Sequence, residues 1–215
     1  NSEAYIERSR NSYGAGFERR GVEVINGHAK FIDNQTVEVN GEKIRSKHIL
    51  IATGARPVYP DIPGKELGET SDEFFEWTEL PKKVAVVGAG YIAVELAGVM
   101  KTLGVDVHLF TRQDRPLRSY DETIINVLVE EMKKDGPILH PFSVPKAAEK
   151  NEDGTITLHF ENDYSDDFDK VIWAVGREAN IDSINLEAAG VRVNQAGFIQ
   201  VDDYQNTSAD NIYAV

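Results

Sequence analysis

The chain of 215 residues has no cysteine, only two methionines and two tryptophans, and far less base than acid. Without a thiol it forms no disulfide and does no thiol chemistry of its own. That lack fits a cytoplasmic protein, the expectation adopted here, although it is compatible with any compartment. No apolar run approaches twenty residues, so nothing reads as a membrane span. No basic segment followed by an apolar one opens the chain, so no secretory signal is read. With 36 acidic residues against 23 basic ones the net charge is −13, which argues against a nucleic-acid partner. His28, His48, His108, His140 and His159 show no i, i+4 pairing and have no cysteine neighbours, so no metal site is expected.

What is present suits an α/β protein. At 41% hydrophobic and 27% charged residues, the chain is long enough for one large domain, or one domain plus pieces of another. Residues 2–20 read as a helix of modest amphipathicity. Short alternating stretches follow at 22–25, 28–32, 36–39 and 43–45, with Asn40-Gly41 between the last two as a type I′ hairpin signal. An apolar strand over 48–52 leads to a proline-rich connector, 57–63. A βαβ unit comes next: strand 84–87, helix 91–103 closed by Gly104, strand 105–110. Asp121 begins a second helix with Ile124, Ile125, Leu128, Val129 and Met132 on one apolar face. Short strands recur near 137–142, 145–149 and 155–160, and a buried strand over 170–175 ends in Gly176-Arg177. Strand, turn and strand followed by Ile-Leu-Ile-Ala-Thr-Gly echoes the same pattern followed by Val-Ile-Trp-Ala-Val-Gly, so Gly54 and Gly176 hold equivalent places. If the units are duplicates, the first one's own βαβ lies upstream of Asn1.

The chemistry concentrates where strand 84–87 ends. Gly88 permits a tight turn, Gly90 lets the backbone approach a pyrophosphate, and Ala93 is the small third residue that packs helix on strand. About twenty residues on, where an acid would accept hydrogen bonds from a free ribose, this chain has Thr111-Arg112 and then Arg115 and Arg118. A guanidinium offers its planar fork to phosphate oxygens, and each charge-assisted bond is worth roughly 1.5–3 kcal/mol. Two arginines would favour NADPH over NADH by on the order of 10² to 10⁴. Asp114 in the same loop would oppose this if it pointed inward, and solvated loop charges are the plainer alternative. Glu95 lies one helical turn beyond Tyr91, so both share a face; it could bond a carboxamide, pair with a lysine, or simply complement the helix dipole.

The combination of these segments resembles the glutathione-type branch of the pyridine nucleotide–disulfide oxidoreductase family. The residues that carry the resemblance are Ala52–Pro57, Ile62-Pro63-Gly64, Ser71-Asp72, Gly88–Gly98, Pro116–Asp121, Ile172–Arg177 and Asp203–Thr207, in order along the whole chain. The resemblance implies that Gly88, Gly90 and Ala93 form the pyrophosphate turn and that Arg112 and Arg118 grip the 2′-phosphate. It implies that Tyr91, with Ile92 beside it, covers the nicotinamide pocket and that Glu95 orients the carboxamide. Thr53 and Gly54, and likewise Gly176 and Arg177, would be strand ends on the cofactor side. Gln113-Asp114 departs from relatives with a basic or histidine pair there.

The fold class implied is α/β, a Rossmann-like dinucleotide-binding domain with a β-meander insertion, flanked by partial FAD-domain segments. Residues 1–56 would be the tail of the FAD-binding domain, 57–178 the NADPH-binding domain, and 179–215 the start of the return to the flavin side. Asn1 is not an initiator methionine and 212–215 reads as a strand just beginning, so the expectation is an excised piece of a longer enzyme. The parent would be a homodimer that reduces glutathione disulfide with NADPH through FAD and a redox cysteine pair. Its cysteines and catalytic His–Glu pair would lie outside this sequence, leaving no catalytic residue here and a fragment inactive by itself. Alternatives are the NAD(P)H domain of another flavoprotein, an oxidase or a different disulfide reductase, and a module that senses NADPH without chemistry.

Overall fold

The computed structural model describes residues 2–215. In chain order the elements are α1 (Ser2–Arg19), β1 (Ala29–Phe31), β2 (Thr36–Val39), β3 (Glu42–Arg45), β4 (Ile49–Ile51) and β5 (Ala55–Pro57). Then come α2 (Ser71–Phe74), β6 (Lys83–Val87), α3 (Tyr91–Thr102), β7 (Asp106–Phe110) and α4 (Glu122–Asp135). The last are β8 (Ile138–His140), β9 (Pro145–Lys150), β10 (Ile156–Phe160), β11 (Ser165–Phe168), β12 (Lys170–Trp173), β13 (Arg177–Ala179) and β14 (Ile212–Ala214). They divide into two compact units: residues up to Gly54 with Asn180–Val215, and Ala55–Ala179.

The second unit is built on a four-stranded parallel sheet in the order β12-β6-β7-β8. Its central strands are continuous apolar runs because both faces are covered. Alternation along β6 shows how: Val84 and Val86 pack with Ala93, Leu96, Ala97 and Met100 of α3, while Ala85 and Val87 pack with Phe110, Leu158, Phe160 and Phe168. The second set belongs largely to an antiparallel meander, β9-β10-β11, laid on the face opposite the helix. In β10 the buried residues are Ile156, Leu158 and Phe160, as period-2 alternation predicts. Helix α3 ends at Thr102, and Gly104 follows with φ +89°, a left-handed exit. Helix α4 starts on Asp121, whose carboxylate accepts from the Thr123 N–H at 2.9 Å. Its apolar stripe is narrower than the sequence suggests. Ile125 and Met132 are buried, but Ile124 lies about 100° round the helix from Ile125 and is 58% exposed.

In the first unit β1, β2 and β3 form a second meander, and Asn40 and Gly41 both take positive φ (+53° and +82°), as a type I′ turn requires. β4 pairs in parallel with β14, over a core of Phe31, Ile51, Ile184, Leu186, Val191 and Ile212. Meander followed by a strand of a parallel pair thus occurs twice, in β1–β4 and in β9–β12. Two expectations need correcting, and one pairing was not expected. Residues 22–25 form no strand: their alternation finds no ladder, and Val22, Val24 and Ile25 are exposed. The strand over 170–175 stops at Trp173. The proline-flanked residues Ala55–Pro57 pair antiparallel with Arg177–Ala179, a short ribbon with no periodicity to announce it.

Candidate functional site

β6 delivers the chain into a turn that crosses the end of β12. The Gly88 N–H donates to the Phe110 carbonyl at 3.0 Å, and the Ala174 N–H donates to the Val87 carbonyl at 2.8 Å. Gly88 has φ +152°, and a methyl group there would stand 2.2 Å from the Ala174 carbonyl oxygen. Only glycine fits so close a crossing. Gly90 is different: it is the N-cap of α3, has no side-chain cap, and faces open space where a side chain would be. The first N–H groups of α3 and the positive end of its dipole are therefore available to an anion. Ala93, the third small residue, is fully buried against the sheet.

Three clefts of the second unit meet at this turn. The central one, about 450 Å³, runs over Gly88, Ala89, Gly90 and Gly176 and includes Phe110, Arg112 and Ser143. A second, about 430 Å³, continues from Ala89, Gly90 and Arg112 to Leu117, Arg118 and Tyr120. A third, about 260 Å³, extends the other way from Gly90, Tyr91 and Ile92 to Trp173, Ala174, Gly176 and Arg177. Tyr91, half exposed, borders both flanking clefts. A cationic end, a helix N-terminus in the middle and an aromatic, largely apolar end is the order of parts in a phosphorylated dinucleotide.

The arginines do not share one fate. Arg112 is exposed, lines both the central and the cationic cleft, and makes no ion pair among the described residues. Arg115 turns toward α4, bonding Asn126 at 3.1 Å and Glu122 at 3.3 Å, and does not line these clefts. Arg118 lies in the cleft wall with the Asp114 carboxylate 3.9 Å from its Nε, and the same carboxylate stands 3.6 Å from Arg115. Fully buried Thr111 pins the start of the loop: its hydroxyl donates to the Gln113 carbonyl at 2.8 Å, and its N–H donates to the His140 carbonyl.

Tyr91, Ile92, Gly176 and Arg177 come together in the third cleft, where Arg177 also donates to the Ala55 carbonyl. Glu95 is exposed one turn along α3 from Tyr91, outside the cleft linings and without an ion pair among the described residues. Thr53 and Gly54 belong to the first unit, where both carbonyls accept from Asn180 and Gly54 has φ +69°. Ser143, Trp173 and Leu117 line the clefts without having been anticipated. Trp173 and Leu117 lie inside segments that carry the resemblance but had no role assigned, and Ser143 lies outside all of them. Each arrives from a loop or strand end that only the sheet's closure brings near.

Beside the site lies a polar and aromatic cluster. His108 Nδ1 and His140 Nε2 are 3.0 Å apart, with stacked rings, and His140 stacks on Phe110 at 4.4 Å. Burial, helped by the neighbouring His108, holds the His140 imidazole below its ordinary value, against the pull of Asp166. Burial would raise Asp166, but hydrogen bonds from Lys83 and Tyr164 outweigh it and leave the carboxyl below its usual range. Burial and that bond to Asp166 push the Tyr164 hydroxyl up to about 12. No group of three or more metal-ligating side chains occurs among the described residues, and no helix among them is long and apolar enough to cross a membrane.

A parallel sheet with a glycine turn at a helix N-terminus, open on a cationic cleft, is an arrangement suited to an anionic ligand. Residues 4–215 match the family Pyridine nucleotide-disulphide oxidoreductase, and the chain belongs to that family. It is similar over its whole length to the chloroplastic/mitochondrial glutathione reductase of Pisum sativum, at 38% identity, and spans 39% of that protein's length. Among solved structures it is similar to the HOCl-induced flavoprotein disulfide reductase RclA of Escherichia coli. There the identity is 30% and the TM-score 0.83, covering 90% of this chain and 45% of that one. A Cu(II) complex of a mutant of the same enzyme gives a TM-score of 0.88 at 28% identity, over 98% and 49% of the two chains.

Proposed function

We propose that this chain is the NADPH-binding portion of a flavin-dependent glutathione-disulfide reductase, with residues 57–178 as a Rossmann-like NADPH domain. Residues 1–56 and 179–215 are read as parts of the FAD-binding domain, and the parent as a cytoplasmic homodimer. The observation that carries the reading is the uncapped N-terminus of α3, joined through a shared cleft wall to the unpaired Arg112. The residues fit the cofactor: Gly88 closes the turn on β12, Gly90 leaves room, and no carboxylate lines the central cleft to repel a phosphate. Arg112 and Arg118 would bind the 2′-phosphate, the first turn of α3 the pyrophosphate, and Tyr91 with Gly176 and Arg177 the nicotinamide end. Bound there, NADPH supplies a hydride for a flavin and, beyond it, a redox disulfide. With no cysteine of its own, this chain serves that chemistry only by binding and orienting, and alone it is read as inactive. Identity to the pea enzyme along the whole chain favours glutathione disulfide as the parent's substrate; likeness to RclA supports another disulfide as the second reading.

Calorimetric titration with 2′,5′-ADP and with 5′-ADP tests the reading. Tighter binding of 2′,5′-ADP by at least about tenfold is expected, the work of one charge-assisted contact. Equal affinities would make the cofactor NADH.

A further inference from the structure

Leu117 lies in the segment Pro116–Asp121 but has no role assigned to it there, and among the described residues it is the one of the arginine loop whose backbone hydrogen-bonds to the glycine turn. Its N–H donates to the Ala89 carbonyl at 2.7 Å, and Ala89 is the middle residue of the Gly88–Gly90 turn. To make that bond Leu117 takes φ +55°, a left-handed conformation that a branched residue adopts reluctantly. The bend is closed behind it by the Tyr120 N–H, which donates to the Leu117 carbonyl at 2.8 Å. Arg118 follows immediately, so its position on the cleft wall depends on this bend. In a trans peptide the carbonyl and the next N–H point opposite ways. Holding the Ala89 oxygen toward Leu117 therefore turns the Gly90 N–H away from the loop.

We propose that Leu117 is a positioning residue for cofactor selectivity: its left-handed backbone clamps the arginine loop to the glycine turn and sets the spacing between the 2′-phosphate and pyrophosphate subsites. The proposal rests on the NADPH reading above. It predicts an order that side-chain chemistry does not. Glycine at 117 keeps the N–H and adopts positive φ freely, isoleucine keeps the N–H but resists positive φ, and proline loses the N–H and has φ fixed near −65°.

The test is the ratio of 5′-ADP to 2′,5′-ADP dissociation constants, by calorimetry, for the 215-residue chain and for Leu117→Gly, Leu117→Ile and Leu117→Pro. The ratio should be kept in L117G, fall several-fold in L117I and approach one in L117P, while 5′-ADP affinity changes much less. Should L117P not fold, the contrast between L117G and L117I decides alone. An unchanged ratio in L117I and in any folded L117P, with the parent chain still discriminating, overturns the clamp and leaves the NADPH reading standing. A parent chain that does not discriminate overturns that reading, and the clamp with it.

Discussion

Three arginines within seven residues look interchangeable in sequence, and their partners separate them. Arg115 is held by Asn126 and Glu122, Arg118 is shared with Asp114, and Arg112 alone is uncommitted. Replacing Arg112 with leucine should weaken 2′,5′-ADP by about tenfold and leave 5′-ADP within about twofold, the low end for a charged contact because the side chain is exposed. Arg118→Leu should lose less, and Asp114→Asn should strengthen 2′,5′-ADP by about two- to fivefold by releasing Arg118, since an exposed ion pair is worth at most about 1 kcal/mol. Arg115→Leu should leave the selectivity unchanged. Equal losses for both ligands in R112L, measured by calorimetry, would mean that the arginine acts through the fold. The glycine turn could be read from sequence because Gly88 meets a backbone demand that no other residue satisfies. The fate of each arginine could not, because it depends on Asn126 and Glu122 coming round from α4. The left-handed backbone of Leu117 gave no signal, since leucine carries no preference for positive φ.

At the scale of elements, the parallel register of β7 and β8 creates the His108–His140 pair. Phe110 stands opposite His140, and His108 lies two residues back on the same face. No sequence spacing announces such a pair; it exists only once the strands are aligned. Because the folded chain holds the His140 imidazole below its ordinary value of 6.5, the unfolded chain binds a proton more readily. Stability from this group is then present above pH 6.5 and declines as pH falls through 6.5 toward the lowered folded value. His108, Asp166, Lys83 and the stacked Tyr164 ring face it. Asp166, itself lowered, enters only in the carboxylate range further down, and Tyr164, raised to about 12, stays neutral throughout. Urea midpoints followed by tryptophan fluorescence should be level above about pH 7 and fall as the pH drops below about 6.5. His140→Phe keeps the stack on Phe110 and should flatten that slope; an undiminished slope would place its origin elsewhere. Elements with strong period or turn chemistry, such as β6, β10, α3 and the Asn40-Gly41 hairpin, were legible in the sequence. Residues 22–25 and the β5–β13 ribbon were not, because a strand is defined by its partner and three-residue strands carry no period.

On the scale of the whole chain, the two units have separate cores. Phe31, Ile51, Ile184 and Ile212 belong to one, and the apolar clusters on the two faces of the parallel sheet belong to the other. The first unit is assembled from both ends of the sequence, with β14 pairing β4 across the whole of the second. The net charge of −13 does not oppose a phosphorylated ligand at the site, because in physiological salt a charge acts over only about 8 Å and the arginines are the near ones. Ligand binding should therefore stabilise only the unit that holds the clefts. Unfolding is expected in two calorimetric transitions, and 2′,5′-ADP at about 100 times its dissociation constant should add about 2.7 kcal/mol to one of them. For a unit of this size that raises one midpoint by on the order of 10 °C while the other stays put. A single transition that moves as a whole would mean that the two cores melt together.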